Sequence, residues 1–350
     1  MMELSRHRGS THRGARLGAL LAISCIGLAA AGCGSSSSGA SGNSSSGTPK
    51  KTGTANVAYA ASLQFLNEKL ASPAFTKAEG YTFTGRAGAS GDLEADIAGK
   101  EIAPNVFESV GGDNITPLFP AFTQWYVQYA GTSMVVAYNP KSKYASQFKA
   151  IADGSEPLSK LFTLMQTPGF KLGRTDPNTD PQGRDFVEML ELAQSFYKLP
   201  SDTVTKILGG PAASPTSSQI FAESSLDSTL QSGQLDASSA FITQAIELHL
   251  PYIALPAQIN LGDFADAAQY AKATVTITSK GKTSTKKGGP QVIDITIIGK
   301  PTPAAIAFVK YTLSAAGLAV YKKGGFTILT PTGFGDTGAI PAPVKSELGG

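Results

Sequence analysis

Ser133-Met134-Val135-Val136-Ala137-Tyr138-Asn139-Pro140 is the stretch on which the fold turns. Five apolar residues run without a polar interruption, which reads as a buried strand rather than a half-exposed one. Asn139-Pro140 closes it, because proline has no N–H for a ladder and restricts the residue before it. Val292 to Ile298 is a second run of this kind. Between and around them, strand-like and helix-like segments alternate. Asn56–Tyr59, Tyr81–Phe83, Asn105–Phe107, Lys171–Gly173 and Tyr252–Pro256 read as short strands. Helical periodicity follows Ser62 as far as Leu70, places Leu93 and Ile97 on one face after Ser90, and aligns Phe186, Leu190, Ala193 and Tyr197. One last long helix is expected from Pro303 to Tyr321. Such alternation predicts an α/β protein of mixed, mostly parallel sheets covered by helices, in two lobes around a hinged cleft. The two apolar strands are the candidate crossings between lobes. Lobe 1 is then discontinuous, residues 54–136 and 296–345, and lobe 2 is residues 137–295.

The N-terminal part reads as processing signal. Arg6, Arg8, Arg13 and Arg16 precede an apolar stretch from Leu17 to Ala31, which ends in Ala30-Ala31-Gly32-Cys33. A basic segment, an apolar segment and small residues before a cysteine are the marks of a lipoprotein signal peptide, residues 1–32, with Cys33 as the lipid acceptor. Residues 33–53 are dominated by Ser and Gly and read as a flexible tether. The expected location is therefore extracytoplasmic, lipid-anchored at the cell membrane.

The formal charge of +3 comes from the leader. Removing its four arginines and Glu3 leaves 25 basic and 25 acidic side chains, a balance that excludes a nucleic-acid binder. Lys286-Lys287, in a Ser/Thr/Gly-rich turn, reads as a solvated hairpin tip. With Cys25 and Cys33 assigned to the leader and the anchor, the folded part has no thiol nucleophile and no disulfide. Its one histidine, His249, reads as a cation at the C-terminus of a helix. Metal sites built on His or Cys and Ser-His-Asp catalysis are excluded on these counts, and the chain is read as neither enzyme nor cofactor carrier. The competing enzymatic reading rests on Asp176 and Asp180 as a carboxylate pair; Asp176, before Pro177, is expected to cap a turn instead.

Three loops share one physical logic. A helix start offers unpaired N–H groups and partial positive charge, and a small hydroxyl residue there adds a donor without bulk. They are Tyr59-Ala60-Ala61-Ser62-Leu63, Gly88-Ala89-Ser90-Gly91-Asp92, and Asp176-Pro177-Asn178-Thr179-Asp180-Pro181-Gln182-Gly183. Each is an ordinary helix cap when taken alone. Three of them at strand-to-helix turns, where α/β folds bind ligands, point to a small oxyanion. The only arginines beyond the leader, Arg86, Arg174 and Arg184, lie beside the second and third loops. They either bias the cleft electrostatically or clamp loop carbonyls and carboxylates.

At these residues the sequence resembles the molybdate/tungstate-binding proteins of ABC importers, which have the type II periplasmic-binding-protein fold, and within them the archaeal-type tungstate branch. The likeness runs from about Asn56 to Thr332. It is carried by Trp125-Tyr126-Val127-Gln128-Tyr129-Ala130, by Val135–Tyr138 with Lys141-Ser142-Lys143-Tyr144, by Gly173–Gly183, by Gly233-Gln234-Leu235-Asp236, by Tyr252–Pro256 and by Ile259-Asn260-Leu261-Gly262-Asp263. The resemblance implies that Ser62 and Ser90 are the anion-binding serines. It implies that Gln182 and Glu223 bring backbone N–H groups to the anion, and that Asp180 is a carboxylate able to touch the metal centre of the bound oxyanion. It also implies an importer permease as partner and a monomeric chain. Three positions depart from that branch. Ala240 and Phe241 stand where it has a glutamate and a tyrosine, and Gln182 stands where it has a cysteine. Phe241 is kept as a ligand-facing position, with Arg174 and Arg184 behind the loops. Molybdate or tungstate is the first cargo implied, with sulfate or an organic anion still open, as is a role as sensor without transport.

Overall fold

The computed structural model describes residues 49–214, 216–279 and 281–349. The leader, Cys25, Cys33 and most of the Ser/Gly-rich tether lie outside them. Twelve strands lie in the described chain: β1 (Thr54–Ala60), β2 (Thr82–Gly88), β3 (Val106–Val110), β4 (Trp125–Thr132), β5 (Met134–Tyr138), β6 (Leu172–Gly173), β7 (Ala237–Phe241), β8 (Tyr252–Ala254), β9 (Thr274–Ser279), β10 (Lys282–Lys287), β11 (Gln291–Ile297) and β12 (Thr327–Gly335). Six form one sheet in the order β12-β4-β11-β3-β1-β2, four form a second in the order β6-β7-β5-β8, and β9 and β10 pair as a separate hairpin.

The opening stretch is β5, central in the smaller sheet. Met134 and Val136 face one apolar cluster, and Val135 and Ala137 face another. All four are at most 1 % exposed. Burial on both faces explains the unbroken apolar run, and each valine contributes about 1.5–3 kcal/mol by leaving water.

Several expectations shift. β5 lies wholly in the four-stranded sheet and β11 wholly in the six-stranded one. The chain therefore passes between sheets at Ser133 and again between β8 and β11, rather than inside the two apolar strands. Parallel pairing is confined to β1–β2, β1–β3 and β6–β7, while β11 runs antiparallel to β3 and β4, β12 to β4, and β5 to β7 and β8. The sheets are mixed but not mostly parallel. Strands that enter a sheet from the other one arrive in the opposite direction, which helix-by-helix alternation does not reveal.

The single C-terminal helix is two, Pro303–Leu313 and Ala315–Lys323, bent by 64°. Ser314 caps the second, its Oγ accepting from the Gly317 N–H at 3.3 Å. The tether also ends sooner than expected. The Lys51 N–H donates to the Gly80 carbonyl at 2.8 Å and its ammonium lies over the Tyr81 ring.

Candidate functional site

Each predicted loop is a helix start, and the starts come from both sheets. After β1 the chain makes a 3-10 turn, Ala61–Leu63, that leads into a continuous helical run to Glu79. Ser62 is buried at this turn, and its Oγ finds no hydrogen-bond partner among the described residues. Ser90 opens the Ser90–Ala98 helix after β2, with Leu93 and Ile97 buried on the inner face as expected. Its Oγ accepts from the Val110 N–H at 3.3 Å, at the end of β3.

On the side of the smaller sheet, Asp180 caps the Pro181–Phe196 helix. Its Oδ1 accepts from the Gln182 N–H at 2.9 Å. Asp176 is a turn cap as expected, accepting from the N–H and side-chain amide of Asn178 at 2.9 and 2.7 Å. Gly183 lets this turn close, since a Cβ there would run into the Thr175 carbonyl.

The two halves meet at these loops. The Gly91 N–H donates to the Thr179 carbonyl at 3.0 Å across the cleft, and a Cβ on Gly91 would stand 2.6 Å from that oxygen. Glu223, first residue of the Glu223–Gln231 helix, joins by its side chain as well as its backbone position. Its Oε1 accepts from Gln182 Nε2 at 2.9 Å and Gln244 Nε2 at 2.8 Å. Gln182 Nε2 also reaches Gln244 Oε1 at 2.7 Å, and Ser239 Oγ donates to Gln182 Oε1 at 2.8 Å. Two amides, two carboxyls and a serine thus form one buried polar chain.

Burial pushes the Asp180 carboxyl up to about 7, with the Gln182 N–H the chief opposing influence and the Arg184 charge also holding it down. Burial raises Glu223 well above the usual carboxylate range, with Asp180 and Asp227 adding to the rise. A cavity of about 430 Å³ opens on one side of this chain, against Gly88, Asp92, Asp180 and Glu223. Another of about 280 Å³ opens on the other side, against Ser62, Glu68, Asp227, Gln244 and Glu247.

The remaining sequence candidates fall at varying distance from this chain. Phe241 contributes its backbone N–H to Gln244 Oε1 at 3.0 Å, while its ring is packed in the main apolar cluster. Ala240 is buried on β7 beside Val135. Arg86 is exposed and paired with Asp96 at 3.3 Å. Arg174 is fully buried, its Nε donating to Gln219 Oε1 at 3.2 Å. Arg184 pairs with Asp113 at 3.5 Å.

His249 follows the end of the Ile242–Glu247 helix, in a left-handed backbone conformation. Lys286 departs from expectation. It lies within β10, not at a free hairpin tip, and its ammonium holds Asp113 at 2.8 Å. Among the described residues, no group of three or more His, Cys, Asp or Glu is arranged to hold a metal ion.

Gln244 is the residue that sequence reading misses most directly. The signal available is its place three residues after Phe241 at a strand-to-helix turn, the position from which a glutamine reaches back to a cap N–H.

The family model for bacterial extracellular solute-binding proteins matches residues 55–327. The chain belongs to this family. Among its relatives, the molybdate/tungstate-binding protein WtpA of Pyrococcus abyssi is 30% identical over 247 residues, covering 65% of this chain and 68% of that protein. An uncharacterized solute-binding protein of Petrotoga mobilis is 29% identical over 218 residues, covering 61% of this chain and 64% of that one. The matched part thus spans about two thirds of these relatives' length. In fold, this solute-binding protein is similar to the periplasmic molybdate-binding protein of Azotobacter vinelandii, with a TM-score of 0.52 and 17% identity over 78% of this chain and 98% of that one. It has the type II periplasmic-binding fold, and the loops described above lie where elements of the six-stranded and four-stranded sheets come together.

Proposed function

We propose that this solute-binding protein captures a small oxyanion, molybdate or tungstate first, and delivers it to the permease of an ABC importer while held to the membrane by a lipid on Cys33. The observation that carries the reading is the meeting of four helix starts from both lobes, those of Ser62, Ser90, Gln182 and Glu223, around one buried polar chain with cavities on either side. Helix starts supply N–H donors and positive potential without a fixed cation. The Ser62 Oγ, unpartnered among the described residues and at the lining of the smaller cavity, is available to donate to a ligand. An anion that takes donors from both lobes favours the closed form, and the closed form is what a permease reads. The likeness to the Pyrococcus protein, named for molybdate and tungstate, supports this choice of cargo. The carboxyls of Asp180 and Glu223 fit it when they carry protons and donate to the anion, a state their burial favours.

In this reading the lobes divide as the six-stranded and four-stranded sheets do, and residues 1–32 are a leader removed on export. The chain works as a monomer. A thermal-shift screen against molybdate, tungstate, sulfate, phosphate and chromate tests the proposal. A ligand that binds only the folded state raises the melting point in step with its affinity. Molybdate or tungstate is expected to give the largest rise; a larger rise with sulfate or phosphate would reassign the cargo.

A further inference from the structure

The Asp113 cluster lies apart from the polar chain and has no part in the reading above. Asp113 sits in the turn after β3, on the larger sheet. Its carboxylate is shared by two cations from the other side of the cleft, Arg184 at 3.5 Å and Lys286 at 2.8 Å. Both cations are fixed in place. Arg184 is in the first turn of the helix that Asp180 caps. Lys286 is on the β9–β10 hairpin, which is tied to that same helix and its loop. The Thr274 N–H donates to Glu191 Oε2, and the Thr278 N–H donates to Asn178 Oδ1, each at 2.8 Å. Asp113 therefore takes an ion pair from both the hairpin and the helix behind the anion loop.

We infer that Asp113 is a positioning residue for anion capture: its ion pairs with Arg184 and Lys286 clasp the lobes shut and slow release of the bound anion.

The charges around Arg184 explain why a clasp is needed there. Asp180, Asp185 and Glu188 on its own helix face it, as does Asp113, and all four raise its hold on the proton against the opposing effect of burial. Asp294 on β11 adds a buried carboxyl near Asp113. Against that excess of acid, Asp113 still stays below the usual carboxylate range. Burial would raise it, but Arg184 and then Lys286 outweigh burial. The Asp113 side chain is 42 % exposed and the Arg184 side chain 12 %. A rim ion pair of this kind contributes modestly and is weakened by salt. Its effect belongs to the closed state alone, because opening the cleft separates the partners. It therefore appears in the off-rate rather than in folding stability.

The inference rests on the solute-binding reading, and its test separates the two. In the full chain with Cys25→Ser and Cys33→Ser, spin labels at Lys100→Cys and Ser146→Cys report the distance between lobes. The parent is expected to give a narrow distribution. Asp113→Asn should broaden it toward longer distances, Lys286→Gln should do so less, and the double variant should go no further than Asp113→Asn. Distributions that superimpose for parent and Asp113→Asn would overturn the clasp, whether or not any anion binds.

Stopped-flow release of tungstate is the second readout. Asp113→Asn should speed release about five- to twenty-fold with little change in the association rate. Added salt should speed release from the parent but not from the variant. Equal release rates, or equal salt dependence, would overturn the clasp. A parent that binds neither tungstate nor molybdate would overturn the cargo assignment, and the distance measurement would still decide the clasp.

Discussion

Two buried glutamates show what separates a structural polar network from a site. Glu108 lies on β3 in the larger sheet, and Glu223 starts a helix at the cleft; both are raised above the usual carboxylate range, with burial the first cause. Glu108 accepts from Asn67 Nδ2 at 2.8 Å and from the hydroxyls of Tyr129 and Tyr321. All of these donors belong to elements packed on one sheet. Glu223 accepts from the side-chain amides of Gln182 and Gln244, which come from two other elements, and lines two cavities. Its neighbour Ser62 keeps an unused hydroxyl. A network enclosed by elements packed on one sheet holds a fold together. One with an idle donor and adjoining space is available to a ligand.

Breaking the first network should have the largest effect on the fold. Glu108→Ala leaves two buried tyrosine hydroxyls and an amide unsatisfied. It should cost about 3–5 kcal/mol of folding stability in denaturant titration. The molecules still folded should bind anion with unchanged affinity.

Breaking the second should do the reverse. Ser90→Asp places a negative charge where a donor stands and should weaken molybdate or tungstate binding about 100-fold or more by calorimetry. Unchanged affinity would remove Ser90 from the site. Because Ser90 is fully buried, Gly91→Ala is the companion variant. Its added methyl would stand 2.6 Å from the Thr179 carbonyl in the arrangement seen here. It should weaken binding about tenfold, with the Ser90 hydroxyl left in place. Ser62→Ala should cost roughly 1.5–3 kcal/mol of binding energy and almost nothing in stability, since the lost hydroxyl has no partner in the fold.

The smallest expected effect is on pH. Burial raises Asp180 and Glu188 to about 7, Asp227 to about 6 and Glu247 to about 8. Each binds its proton more tightly folded than unfolded, so between the two sets of values the folded state carries more protons. Stability must then fall as pH rises through this window. The ligand-free melting point should be higher at pH 5.5 than at pH 8.5, by roughly 5 °C. A melting point that rises with pH would show that these groups are ionised in the folded protein.

Much of this comparison was legible in the sequence, and the reasons are local. β5 announces itself because both of its faces are buried. Ser90, Asp180 and the Phe186 face are read from capping and from helical periodicity, which operate within a few residues. The contacts that were not legible link distant segments. Gln182 and Gln244 are 62 residues apart, and Lys286 meets Asp113 across 173. Nothing near Lys286 distinguishes a clasp from a solvated lysine. The antiparallel course of β4, β11 and β12 is hidden for the same reason, since it depends on where the chain re-enters a sheet. The carboxyl of Glu223 was missed because its position marks a helix start, and only packing turns its side chain inward.

Anomalous diffraction at the tungsten edge from crystals grown with tungstate would locate the bound anion itself. One strong peak is expected between the lobes, with its oxygens within hydrogen-bonding reach of the Ser62 and Ser90 hydroxyls. A peak elsewhere, or none at saturating tungstate, would contradict the proposed site.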